Sequence, residues 1–248
     1  MVFPFIDGVF CISLPQNELR RQTFLQAFAK TRLPSRVRFF YPPDTVSMYP
    51  ANMRVKCADL GCAASHRHCV LEARRMGWKT VLVLEDDALL SPHFSEERMA
   101  QEISESMDAG AGCLNLGGCD PSWRAGTATL RAHDPLEHTI GVTNMVTTHA
   151  VCYFPEVISS RMELFLPSHQ EVVSQAHQMQ TSGAFDQWLS EESTEMRAGW
   201  FPHIVQDART SDIVGAGHQV NVPELIEKTY EHLRNQKRPA DVGANQPR

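Results

Sequence analysis

Val81-Leu82-Val83-Leu84-Glu85-Asp86-Asp87 is the stretch on which the reading of this chain turns. Four consecutive apolar residues describe a strand buried on both faces, as in the interior of a sheet covered by helices. Three carboxylates follow at once, where such a strand leaves the sheet. Ligands of open α/β sheets bind outside the carboxyl ends of the strands, so the position of the acids is itself informative. Alternation along an extended backbone places Glu85 and Asp87 on one side. Adjacent carboxylates repel one another. A hard divalent cation such as Mn²⁺ or Mg²⁺ would relieve that repulsion and bridge to a pyrophosphate. One acid would then hold the ion, and the other a nucleotide ribose or a metal-bound water. A solubilising acidic turn closed by Ser91-Pro92 is the plainer alternative.

Immediately upstream, the spacing predicts a helix over 58–76. Cys62, His66, Cys69, Val70, Ala73 and Met76 share one face of it. The helix feeds the central strand through Gly77-Trp78, so it must run antiparallel to that strand. Gly61, Ser65 and His66 are thereby brought to the acidic edge, where a helix start with free N–H groups would favour a phosphate. His66 reads equally well as a core histidine bonded to a carbonyl. A zinc set of Cys57, Cys62, His66 and Cys69 matches no standard structural spacing, and Cys62 and Cys69 fall among apolar residues. Ser65-His66 lacks the Gly-x-Ser-x-Gly elbow of a hydrolase nucleophile.

Farther out, apolar runs predict strands over 9–14, 37–41, 112–116, 147–154 and 201–206. Amphipathic patterns predict helices over 16–31, 96–107, 155–164 and 223–236. Residues 125–132 fit a hairpin or edge strand, and the polar segment 167–180 a mobile loop or weak helix. The expectation is an α/β fold: one domain over residues 1–236, a mostly parallel sheet flanked by helices, and a disordered tail over 237–248. The 248 residues suffice for one core, and 42% hydrophobic content excludes a mostly disordered chain.

A net charge of −6 argues against a nucleic-acid binder. Arg20, Arg21, Lys30, Arg32, Arg36 and Arg38 cluster as a solvated helix face or as partners for a small anionic ligand. No apolar run is long enough to span a bilayer, which leaves peripheral membrane association open. The first ten residues lack a basic region, and Asp7 interrupts them, unlike a secretory signal. Seven scattered cysteines suit a reducing cytosol, so the expected location is cytoplasmic.

Taken together, Leu60-Gly61-Cys62, Ser65-His66, Trp78 and Leu82 through Asp87 resemble the core of glycosyltransferase family 25. That family includes bacterial lipooligosaccharide galactosyltransferases and the collagen galactosyltransferase domains of animals. Val9 to Leu14 followed by Glu18-Leu19-Arg20-Arg21 is similar to its first strand and Arg-containing helix start. Looser likenesses lie in Ala150-Val151-Cys152-Tyr153, in Phe185-Asp186-Gln187-Trp188-Leu189, and in Pro202, Gln206 and Ser211-Asp212-Ile213.

The resemblance implies a GT-A fold and an inverting, metal-dependent transfer of a hexose. The expected donor is a UDP-sugar, UDP-galactose in the first instance, and the acceptor a hydroxyl of a glycan or glycoconjugate, as in lipopolysaccharide biosynthesis. It makes Glu85-Asp86-Asp87 the counterpart of an Asp-x-Asp motif, with Asp87 holding Mn²⁺ or Mg²⁺. His203 would complete the metal shell, with a surface strand residue as the alternative. Ser13, Arg21, Ser65, His66, Glu85 and Asp86 would surround the donor.

For the base that deprotonates the acceptor, Asp186 is the candidate, with a helix N-cap as the alternative. Trp123, Tyr153 and Trp188 are sugar-stacking platforms or core residues. Arg209 with Asp212 is an ion pair or a diphosphate clamp. Residues 117–123 and 167–180 have no counterpart in the family pattern, which leaves the acceptor open. A catalytically degenerate binding module is the main rival. A metal-dependent phosphohydrolase would need further strand-end ligands, which 115–118 does not offer. A dinucleotide dehydrogenase lacks its Gly-x-Gly-x-x-Gly.

Overall fold

The computed structural model describes residues 5–31, 37–119, 130–145, 147–176, 185, 188–189, 196–207 and 222–236. The first half alternates strand and helix: β1 (Gly8–Ile12), α1 (Glu18–Ala27), β2 (Val37–Phe40), α2 (Arg54–Arg75) and β3 (Val81–Glu85). Next come β4 (Ala88–Leu90), α3 (Glu96–Asp108), β5 (Cys113–Asn115), β6 (Arg131–His133), β7 (Thr139–Thr143) and β8 (Ala150–Tyr153). The chain continues through α4 (Pro155–Phe165), α5 (His169–Gln175), β9 (Met196–Gly199), β10 (Ile204–Gln206) and α6 (Val222–Gln236).

The large sheet has the order β2-β1-β3-β8-β5-β9-β7-β6, while β4 and β10 pair as a small antiparallel sheet. In the large sheet β7 and β8 run against the other strands, so most of them point one way.

The central strand explains the layering. Val81 and Val83 face one core with Cys69, Val70 and Ala73 of α2 and Ile158 and Met162 of α4. Leu82 and Leu84 face the other, with Phe24 of α1 and Met99 and Ile103 of α3. All four are fully buried, each contributing roughly 1.5–3 kcal/mol by leaving water. Helix α2 returns to this strand through a Schellman closure. Trp78 N–H donates to the Ala73 carbonyl, Gly77 N–H donates to that of Arg74, and Gly77 takes φ +70°. The Trp78 indole then lies where a side chain at Gly8 would stand, which locks the turn against β1.

Differences from the sequence expectation have local causes. Helix α2 starts at Arg54 behind a 3-10 turn over Ala51–Met53, a turn earlier than apolar periodicity indicates. Its unpaired N–H groups therefore lie before Ala58, and Gly61, Ser65 and His66 present their side chains from the helix body. Of the two readings of the segment after Pro167, a short helix is the one present, started by the reciprocal capping box of Ser168 and Glu171. Strands β4, β7 and β9 escape the sequence pattern: β4 is three residues long, and β9 carries a buried Arg197. Of 125–132 only the last residues fall in the described structure, and Trp123, Arg209, Asp212 and 237–248 lie outside it.

Candidate active site

Because β3 ends amid three different neighbours, its acidic tip fans out. Glu85 meets α2 and the approach to β8. Its Oε1 accepts a hydrogen bond from Thr148 Oγ1 (2.9 Å) and lies 3.8 Å from Cys62 Sγ and 3.7 Å from His66 Nε2. Asp86 meets the β1–α1 turn, where Oδ2 accepts from Ser13 Oγ (2.7 Å) and Asn17 Nδ2 (3.5 Å), and Oδ1 pairs with Arg20 Nη2 (2.5 Å). Asp87 meets β10. Its Oδ2 accepts from Gln206 Nε2 (3.0 Å) and lies 3.4 Å from Arg20 Nη2. Its Oδ1 is buried and has no hydrogen-bond partner among the described residues.

These surroundings set the charges. Burial, followed by the charge on Glu85, pushes the Asp87 carboxyl up to about 7 against the opposing pull of Arg20 and Gln206. Glu85 outranks Asp86 as a repeller of Asp87. Burial also raises Asp86, with Arg20 and Ser13 holding the rise down. Burial would raise Glu85 as well, but the facing His66 ring and the Thr148 hydroxyl outweigh it and lower its pKa.

The three acids line an open cleft at the carboxyl ends of β1 and β3. The β1–α1 turn supplies one wall, the 42–46 segment another, and Gly61, Cys62 and Ser65 of α2 a third. Gly61 allows that closeness: a Cβ there would stand 2.6 Å from Thr45 Oγ1, which itself donates to the Cys57 carbonyl.

A hard divalent ion fits this donor set in one respect. Asp87 Oδ1 is a buried carboxylate oxygen without a hydrogen-bond partner among the described residues, and Mg²⁺-class ions are held by one or two carboxylates plus substrate phosphates. Asp86 is already engaged by Ser13, Asn17 and Arg20.

The expected residues divide. Ser13, Ser65, Glu85, Asp86 and Asp87 all line the cleft. Ser65 Oγ donates to the Gly61 carbonyl and lies 3.1 Å from His169 Nε2. Arg21 does not line it: its guanidinium binds Ser13 Oγ and the carbonyls of Leu14 and Pro15, and so shapes the β1–α1 turn. His66 is fully buried behind the wall, with Nδ1 2.8 Å from Tyr153 Oη.

His203 is not at the cleft either. It is fully buried, with Nε2 2.9 Å from Glu102 Oε2 and Nδ1 facing the Ser95 N–H, so both ring nitrogens are directed at α3. Tyr153 is likewise buried and offers no face to a sugar, and Trp188 stacks on Phe185. Asp186 lies outside the described residues. Arg20, Asn17 and Gln206 are the site residues that sequence reasoning passed over. The cluster of basic residues flagged Arg20, but nothing in the pattern separated it from Arg21.

No family model matches the chain, and no curated protein does. Among solved structures it is similar to the mannose-1-phosphate geranyltransferase of Thermus thermophilus, with 13% identity, 77% of this chain and 72% of that one covered, and a TM-score of 0.44. It is also similar to A197 from STIV, with 7% identity, 79% and 82% coverage, and a TM-score of 0.40. Likenesses this distant leave the geometry of the cleft itself as the ground for a functional reading.

Proposed function

We propose that the chain is a glycosyltransferase that takes a hexose, galactose in the first instance, from a UDP-sugar to a hydroxyl of a glycan or glycoconjugate, with inversion. The observation that carries the reading is the buried Asp87 oxygen without a hydrogen-bond partner among the described residues, on an acid that lines the cleft just beyond the central strand. Asp87 would hold Mn²⁺ or Mg²⁺, with Gln206 orienting its other oxygen. Bound there, the ion would supply Lewis-acid stabilisation to the departing diphosphate. Arg20 adds a fixed positive charge beside the same acids, where it would stabilise charge developing on the phosphates. Asn17 and Ser13, from the β1–α1 turn, hold Asp86 in place for the ribose. Asp186 is proposed as the base.

A second reading, a binding module without turnover, draws support from Arg20. It bridges Asp86 and Asp87 and is a cation the chain already owns. A thermal-shift screen of nucleotide sugars with and without Mn²⁺, followed by assay of UDP release, separates the two. The transferase reading expects a Mn²⁺-dependent shift with one UDP-hexose and acceptor-stimulated UDP release. A shift without release favours the binding module.

A further inference from the structure

Glu85 takes part in a second polar centre, made with α2. Cys62 Sγ, His66 Nε2 and a Glu85 carboxylate oxygen lie within 4.8 Å of one another. His66 is fully buried, and its Nε2 has no hydrogen-bond partner among the described residues. The atom it faces, Glu85 Oε1 at 3.7 Å, is beyond hydrogen-bond length. The buried ring nitrogen stands within ion-pair distance of the carboxylate but short of a hydrogen bond, a spacing that an ion between them would fill. Donors around tetrahedral zinc, about 2.3 Å out for sulfur and about 2.0–2.2 Å for nitrogen and oxygen, stand roughly 3.4–3.6 Å apart. The observed 3.8 Å from Cys62 Sγ to Glu85 Oε1 and 3.7 Å from His66 Nε2 are a few tenths of an ångström longer.

The surroundings supply the supporting bonds such a site needs. With an ion on Nε2, Nδ1 carries the proton and donates it to Tyr153 Oη, 2.8 Å away. Thr148 Oγ1 donates to the Glu85 oxygen at 2.9 Å. Phe185 and Tyr153 pack against the imidazole with centroids 5.1 and 5.8 Å off.

We propose that Cys62, His66 and Glu85 form a site for one borderline-soft divalent ion of the zinc class, with its fourth position open to the cleft that Cys62 and Glu85 line. Binding exchanges the Cys62 thiol proton, released to solvent, for a metal–sulfur bond. The donor set differs from that at Asp87: one sulfur and one nitrogen here, oxygens there. The proposal does not rest on the transferase reading, because the chain alone binds the ion.

Titration of chelator-stripped protein with Co²⁺ tests it. The expected result is stoichiometric binding with a near-ultraviolet sulfur-to-cobalt band and tetrahedral visible bands, displaced by Zn²⁺. Cys62→Ser should abolish the sulfur band. It should weaken zinc by more than the ~10–100-fold expected for Tyr153→Phe, whose hydroxyl only supports the ring. Asp87→Asn should leave the band unchanged. X-ray absorption on the zinc-loaded natural chain needs no variant and should show one sulfur at about 2.3 Å with lighter ligands at about 2.0–2.2 Å. A zinc shell without sulfur, a cobalt band that survives Cys62→Ser, or no stoichiometric binding overturns the site. Zinc binding without nucleotide-sugar turnover removes the transferase reading and leaves this one standing, and the converse removes only the zinc site.

Discussion

The two carboxylate oxygens of Asp87 have different surroundings, and that asymmetry gives the residue its sensitivity to pH. In metal-free protein its carboxyl titrates near 7, raised first by burial and then by Glu85. An acid raised in the folded state is fully compatible with folding below its unfolded pKa, and it costs stability as pH climbs to the folded value. Asp87→Asn should therefore stabilise the metal-free chain by a margin that is small near pH 4, grows to about 2–4 kcal/mol by pH 7, and levels off above about pH 8. Denaturant melts in chelator across that range check the sign, and a margin that shrinks with rising pH contradicts it. Part of this was readable beforehand. Three carboxylates in succession announce mutual repulsion, although the strand ends at Glu85 and the acids part toward different neighbours. The choice of Arg20 over Arg21 was not readable, because it depends on where the β1–α1 turn directs each guanidinium.

At the scale of elements, the fully apolar run of β3 announced a two-faced strand, and both cores are built on it. Val83→Ala should cost about 1–3 kcal/mol in chemical denaturation through the cavity left against α2. Helix α2 was placed correctly against β3 by its short glycine turn, but its start was missed, since the 3-10 turn before Arg54 has no apolar period. Gly61 on this helix is a contact the pattern could not show. Gly61→Ala would drive a methyl to 2.6 Å from Thr45 Oγ1 and should displace the 42–46 wall. The expected effect is a loss of about 1–3 kcal/mol and weaker nucleotide binding, measured by melt and calorimetry.

His203 immediately precedes β10 and pairs with Glu102 of α3, a long-range pairing invisible in one dimension. Removing one partner of such a buried pair leaves the other stranded. His203→Ala should thus lower stability by about 3–5 kcal/mol while leaving the Mn²⁺ requirement unchanged. A shifted Mn²⁺ requirement with unchanged stability would restore His203 to the metal.

Across the whole molecule, strand alternation and helix direction carry the first half of the chain to one cleft at the carboxyl ends of β1 and β3. The second half was harder to read because β7 and β8 reverse direction and β9 carries a buried arginine, so neither polarity nor order followed from pattern. No described helix is long and apolar enough to cross a membrane. What unites the molecule chemically is the under-neutralised acid at the tip of its central strand. The measurement that tests this most directly is UDP release from UDP-galactose and related UDP-hexoses, with Mn²⁺ and with chelator, for the natural chain and Asp87→Ala, each beside a thermal melt. The account predicts Mn²⁺-dependent turnover that falls by at least about 10²–10³-fold in a variant that still melts cooperatively. Turnover retained by folded Asp87→Ala, or undiminished in chelator, would contradict it.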